Sequence, residues 1–166
     1  IYGSTPAIIT IWDALVKAGA KPAGLAARDI LRLEMKYCLY GNDIDKTTNP
    51  LEAGLSWVTA FGKKDFIGRA SLLEKKKNGQ SRQLVAIVMD ERGIPRQGYE
   101  IFSASEKVGV VTSGSQSPQL KSGIGLGYVN KPFHKSGQKI AVKIRNQLVG
   151  AHIIKPPFVK ETSLHH

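Results

Sequence analysis

Residues 83–112 read QLVAIVMDERGIPRQGYEIFSASEKVGVVT, and the punctuation of that stretch decides the fold. Gln83–Met89, Tyr99–Phe102 and Lys107–Thr112 are rich in valine, isoleucine and aromatic residues, which suit a pleated, half-buried strand. Arg92-Gly93 and Gln97-Gly98 stand between them, and glycine after a polar residue supplies the backbone freedom of a tight turn. The pattern continues through Gly125–Val129, Lys139–Ile144 and Leu148–Ile154. Turn signals separate these at Ser113-Gly114, Lys131-Pro132, Ser136-Gly137 and Asn146-Gln147. Six short strands at this spacing, with no helical periodicity among them, predict a small antiparallel barrel or sandwich.

Upstream of a boundary near Asn78–Gln83 the period becomes helical. Thr5-Pro6 marks a first helix, with Thr5 as N-cap and Pro6 at N1, where its missing N–H costs nothing. Ile8, Ile9, Ile11, Trp12, Leu15 and Val16 give it a wide apolar face that is expected to serve as core. Gly19 and Pro22 end it. A second helix is predicted from about Leu25 to Glu34, with Leu25, Ile30, Leu31 and Leu33 turned inward. Arg28 and Arg32 share one of its faces, and Asp29 can pair with either. Spacing alone therefore favours a solvated salt-bridge ladder.

The chain then leaves that helix through Tyr37, Tyr40 and Gly41-Asn42-Asp43. Asn49-Pro50-Leu51-Glu52 has the capping-box pattern and opens one helical turn that Gly54 stops. Leu55-Ser56-Trp57-Val58 has strand-like composition. A third helix is predicted over Arg69–Asn78, with Leu72 and Leu73 inside and Gly79 as its terminator. Lys75-Lys76-Lys77 fall in its last turn, where cations complement the helix dipole.

The 166 residues suffice for one domain, or for one domain and part of another. A hydrophobic content of 42% and a charged content of 22% are those of a globular chain. No apolar run reaches the ~18–20 residues of a membrane span. Ile1-Tyr2 reads as the tail of a strand, so a preceding segment is expected. The single cysteine, Cys38, forms no internal disulfide framework, suits a reducing compartment, and reads as a small buried hydrophobe. No Cys/His cluster has metal-ligand spacing.

The net charge of +11 invites a nucleic-acid or acidic partner. The cations are scattered, however, and the barrel aromatics Tyr99, Phe102, Tyr128, Phe133 and Phe158 do not interleave with them. Docking of an acidic protein suits the charge better than nucleic acid does. Gly123-Ile124-Gly125-Leu126-Gly127 lies among strand residues with no helix after it, which speaks for close strand packing rather than a dinucleotide loop. Ser113–Pro118 lacks the lysine of a phosphate loop and reads as a turn.

Several segments together resemble one family. They are GLAARDILRLE (24–34), LYGNDID (39–45), TNPLEAGLSW (48–57), KDFIGRASLL (64–73), RGIPRQGY (92–99), VGVVTSGSQSP (108–118), Gly127-Tyr128-Val129 and Pro157-Phe158. In this order they resemble the C-terminal part of the glycine cleavage system T-protein, the tetrahydrofolate-dependent aminomethyltransferase. The resemblance implies an α+β chain: the end of a mixed α/β folate-binding subdomain over 1–79, then a small antiparallel Greek-key β-barrel over 80–166. It also implies the activity. An aminomethyl group arrives on the lipoyl arm of the H-protein, ammonia is released, and the one-carbon unit passes to tetrahydrofolate.

Carried over residue by residue, the arginine of the family's ARD motif is Arg28, which the resemblance makes a folate contact. A guanidinium offers a rigid donor fork to a carboxylate or pterin edge. Arg32 keeps its salt-bridge reading. The family's catalytic aspartate and a second acidic contact have no counterpart here, so no catalytic residue is expected in this chain and the 166 residues alone are expected to be inactive. The C-terminal tyrosine of some members is also without a counterpart, Ser163 standing about where it would fall. Lipoylated H-protein and tetrahydrofolate are the expected partners, and a bacterial cytoplasm is preferred over a mitochondrial matrix. Two alternatives lie in the same superfamily: the folate module of a dimethylglycine or sarcosine dehydrogenase, and a tRNA-modifying relative. The latter carries a KGCYxGQE motif, whereas Lys63–Gly68 reads KKDFIG without cysteine.

Overall fold

The computed structural model describes residues 1–161. Helices α1 (Thr5–Lys17) and α2 (Leu25–Glu34) come first, then a 3-10 turn at Ser56–Val58 and helix α3 (Arg69–Asn78). Six strands follow: β1 (Arg82–Met89), β2 (Glu100–Ser103), β3 (Glu106–Ser117), β4 (Ser122–Asn130), β5 (Lys139–Ile144) and β6 (Gln147–Ile154). They close an antiparallel barrel in the order β1-β4-β3-β2-β5-β6. β2, β3 and β4 are successive neighbours and β1 returns to lie beside β4, which makes a Greek key. Pairing of β1 with β6 leaves no free sheet edge.

Strand alternation sorts the core into two layers. Val85, Ile87 and Met89 of β1 point into the barrel with Ile101, Val129 and Ile153. Leu84 and Ala86 point outward with Ile124, Leu126 and Tyr128 of β4, and there meet Leu33 of α2 and Phe158. Burying one such leucine or isoleucine stabilises by about 1.5–3 kcal/mol, so this outer layer seats α2 firmly on the barrel wall. The inward positions of β4 before Val129 are the glycines Gly123, Gly125 and Gly127. A methyl group on Gly125 would lie 2.9 Å from the Ser113 carbonyl oxygen and 3.0 Å from Pro95 Cγ, and one on Gly127 would lie 2.8 Å from Ile101 Cδ1. The Gly-x-Gly-x-Gly run therefore makes room for the segment around Pro95, as the close-packing reading requires.

Several local expectations need correction. Ser113-Gly114 is no turn: β3 runs on to Ser117, with a register shift between Val111 and Ser113 that marks a bulge. Ser113 and Ser117 stay in the strand because their buried hydroxyls find partners on α2. Ser4 rather than Thr5 occupies the N-cap of α1. Ser56–Val58 forms the 3-10 turn, with Leu55 at its N-cap, and not a strand, leaving Trp57 at 80% exposure.

The helices also cover less than periodicity suggested. No residue of α1 or α3 is buried, and Trp12 of α1 is 54% exposed, so the apolar face expected as core is uncovered here. On α2, Leu33 is buried as expected, but Leu25 and Leu31 are exposed, as is Leu73 on α3. Periodicity identifies an apolar face without telling what covers it.

Candidate functional site

The turn of helix that carries Leu33 into the outer core also carries Arg32 beneath the barrel rim. Its side chain is only 10% exposed. Nε donates to Asp29 Oδ1 at 2.8 Å, Nη1 to Asp43 Oδ2 at 2.7 Å and Nη2 to Ser113 Oγ at 3.0 Å. Asp43, fully buried, also accepts from the Leu39 N–H at 2.9 Å and from Thr112 Oγ1 at 2.5 Å. Its backbone carbonyl accepts from the Tyr128 hydroxyl at 2.9 Å. A buried carboxylate is tolerable only with such partners. The solvated-ladder reading is therefore wrong for Arg32: Asp29 pairs with it, but the arginine is a buried node joining α2, the 39–45 loop and β3.

The C-terminal end of α2 is anchored in the same manner. Ser117 Oγ donates to the buried Glu34 carboxylate at 2.5 Å, and the Phe158 N–H donates to the Glu34 carbonyl at 2.9 Å. Below it the capping box forms as its sequence requires: Asn49 N–H donates to Glu52 Oε1 at 2.8 Å, and Glu52 N–H to Asn49 Oδ1 at 3.1 Å. Arg82 Nε then meets Glu52 Oε2 at 2.7 Å, and its guanidinium lies 4.4 Å from the Tyr128 ring centroid. Burial, then the Glu52 carboxylate, pushes the Tyr128 phenol up to about 12.

These anchors fix the walls of an open cleft of about 560 Å³ between α2 and the barrel. Leu25 and Arg28 of α2 form one wall, Arg96 and Gln97 the other, and Ser113 and Gly114 of β3 line it between them. Leu39, Asn42, Ala26 and Asp29 complete it, the Asp29 carboxylate being held by Arg32 and the Asn42 and Gln97 amides lying 3.0 Å apart. Arg28 is exposed and, among the described residues, has neither hydrogen bond nor ion pair. The arginines one turn apart thus differ completely: Arg32 is consumed by structure, whereas Arg28 is free at the cleft mouth. Two guanidiniums beside leucine side chains can hold an anionic group attached to an apolar body.

The other candidates lie elsewhere. Cys38 is half-buried and its thiol is pushed up by burial, away from the thiolate form that reacts. Lys36 beside it is pushed down by burial, its Nζ donating to the Ala53 carbonyl at 3.2 Å. Among the described residues no group of three His, Cys, Asp or Glu could hold a metal ion. Ser163 lies outside the described residues.

The family model described as the glycine cleavage T-protein C-terminal barrel domain matches residues 82–160, and that described as the GCVT N-terminal domain matches residues 1–63. The chain is 48% identical to an aminomethyltransferase of Halothermothrix orenii over 163 residues, covering 96% of this chain and 46% of that protein. It is 52% identical over 157 residues to the Porphyromonas gingivalis aminomethyltransferase, covering 90% and 43%. The chain belongs to the glycine cleavage T-protein family. A solved T-protein family member, the glycine cleavage system aminomethyltransferase T of Bartonella henselae, superposes with a TM-score of 0.84 at 32% identity, over 93% of this chain and 44% of that one. The chain thus spans about half the length of the T-protein relatives it matches.

For a T-protein chain, four of the segments that carried the resemblance line the cleft. GLAARDILRLE supplies Leu25 and Arg28, LYGNDID supplies Leu39 and Asn42, RGIPRQGY supplies Arg96 and Gln97, and VGVVTSGSQSP supplies Ser113 and Gly114. Reading from spacing missed Arg96, which meets the α2 cleft from a loop far along the chain, and the Asp43 node, whose partner Thr112 is 69 residues away. Among the described residues no helix is long and apolar enough to cross a membrane.

Proposed function

We propose that this chain is the C-terminal portion of a tetrahydrofolate-dependent aminomethyltransferase of the glycine cleavage system. The whole protein would take the one-carbon unit from aminomethyl-lipoyl H-protein to tetrahydrofolate and release ammonia, in a bacterial cytoplasm. Residues 1–79 close its folate-binding domain and residues 80–166 form its barrel domain. The observation that carries the reading is Arg28, unpartnered in the cleft between α2 and the barrel that it lines together with Arg96.

The residues present fit a folate. Leu25 and Leu39 offer an apolar surface to a flat ring system or its linker, the Asn42 and Gln97 amides offer donors and acceptors, and Arg28 and Arg96 offer forks to carboxylates. Tetrahydrofolate, when bound, supplies the nitrogens that accept the one-carbon unit. This chain binds and orients: Arg28 holds a carboxylate or pterin edge, and Arg32, through Asp43 and Ser113, keeps α2 at a fixed height so that Arg28 reaches it. No residue here is proposed as the catalytic acid.

The test is titration of the complete gene product with tetrahydrofolate, together with ammonia release from aminomethyl-H-protein. Saturable folate binding and folate-dependent ammonia release are expected, and the 166 residues alone should give no turnover. A complete gene product that binds no folate would overturn the reading.

A further inference from the structure

The loop that brings Arg96 and Gln97 to the α2 cleft is seated in the barrel rather than laid over it. Exposure switches between neighbours: Pro95 is fully buried, whereas Arg96 and Gln97 are exposed in the cleft wall. Strands β3 and β4 meet this segment with glycines. A methyl group on Gly114 would overlap the Pro95 carbonyl oxygen, and one on Gly123 the Gly93 carbonyl oxygen. One on Gly125 would lie 3.0 Å from Pro95 Cγ. Carbon atoms in ordinary contact stand about 3.5–4.0 Å apart, so the loop lies closer to the strands than any side chain there would permit.

The other end of the segment is fixed as well. The Gly98 N–H donates to the Val111 carbonyl at 2.9 Å, beside the β3 bulge, and the Tyr99 N–H to the Arg96 carbonyl at 3.1 Å. Only Arg96 and Gln97 separate the buried Pro95 from the anchored Gly98. A chain spans at most ~3.3–3.6 Å per residue, so so short a link passes a shift of Pro95 directly to Arg96 and Gln97. A surface connection needs no such seat, and this one carries the barrel side of the cleft.

We infer that Gly114, Gly123 and Gly125 are positioning residues of the ligand cleft: by admitting the Gly93–Pro95 segment they set where Arg96 and Gln97 stand opposite Arg28 and Asn42. The inference rests on the folate reading above. A ligand that spans the cleft touches α2 on one side and the barrel loop on the other, so both walls must stand at a fixed separation. Arg32 fixes the first wall through Asp43 and Ser113, and the glycine seat fixes the second. Gly114 also lines the cleft, whereas Gly123 and Gly125 lie behind the loop and act through it. A misplacement of about 1 Å in a binding group can cost up to ~10²-fold, so a seat this close has a functional consequence beyond packing.

The test is equilibrium titration of the complete gene product with tetrahydrofolate, with urea unfolding of each sample. The variants are Gly125→Ala, Arg96→Ala/Gln97→Ala and all three changes together. Folded Gly125→Ala, whose methyl group presses on Pro95 Cγ, is expected to bind about tenfold more weakly than wild type. On the Arg96→Ala/Gln97→Ala background the same change should cost less than about twofold, because the groups it displaces are gone. A change that merely loosened packing would lower the unfolding midpoint in both backgrounds and leave the affinity of the folded molecules alone. Pro95→Ala removes the ring that the glycines admit and adds no bulk. It should weaken binding with the same dependence on Arg96 and Gln97, and it decides the question if Gly125→Ala does not fold. Unchanged affinity in the folded variant, or an equal loss in both backgrounds, overturns the inference and leaves the folate reading standing. Wild type that binds no tetrahydrofolate overturns the folate reading and this inference with it.

Discussion

Replacing Arg32 with methionine removes a guanidinium from the node under the barrel rim and keeps much of its volume. Asp43 is then a fully buried carboxylate without its cation. Taking one partner from a buried ion pair costs about 3–5 kcal/mol. Asp43 retains the Leu39 N–H and the Thr112 hydroxyl as donors, which places the expected loss near the lower end, about 3 kcal/mol. The Asp29 pair adds little, because its carboxylate is 40% exposed and such pairs contribute below about 1 kcal/mol. Urea unfolding of Arg32→Met should show a lower midpoint at unchanged slope. Adding Asp43→Asn removes the stranded charge and should recover part of the loss, so the two changes are non-additive. A loss below about 1 kcal/mol, the level of an exposed pair, would refute the buried-node assignment.

The other expectations are local. Tyr128 stays protonated in the folded protein until about pH 12, while an unfolded tyrosine ionises near 10. The folded state thus holds the extra proton, and this group's contribution to stability is whole below pH ~10 and lost as pH rises from there through about 12. Ultraviolet titration should show a late phenol step that vanishes in Tyr128→Phe; a step lost from the region near pH ~10 instead would refute it. Gly123→Ala drives a methyl group into the Gly93 carbonyl oxygen and within 2.9 Å of Met89 Cγ, so it should destabilise by about 1–3 kcal/mol. A neutral Gly123→Ala would contradict the close packing of β4. Cys38 should alkylate at pH 8 much more slowly in the folded protein than in urea, and equal rates would contradict its burial.

The barrel was legible because its strands carry their pattern locally, in short runs rich in valine, isoleucine and aromatic residues parted by Gly, Pro and Asn turn signals. The capping box at Asn49–Glu52 was legible for the same reason, as all its bonds close within four residues. Ser113-Gly114 was misread because a bulge and a turn use similar residues, and what keeps Ser113 in the strand is Arg32, far away in sequence. The Arg28/Arg32 pair shows the limit most clearly. Both face one side of α2 and are equivalent by spacing, yet the barrel rim covers one and leaves the other open. Cover is also what the apolar face of α1 lacks, and helical periodicity carries no information about it.

The central claim is that Arg28 faces ligand while Arg32 faces structure. Titration of Arg28→Ala in the complete gene product with tetrahydrofolate tests it most directly, with urea unfolding of the same sample. Folate affinity is expected to fall about tenfold or more, the equivalent of a charged hydrogen bond of ~1.5–3 kcal/mol, with the unfolding midpoint unchanged. Unchanged affinity would contradict the claim.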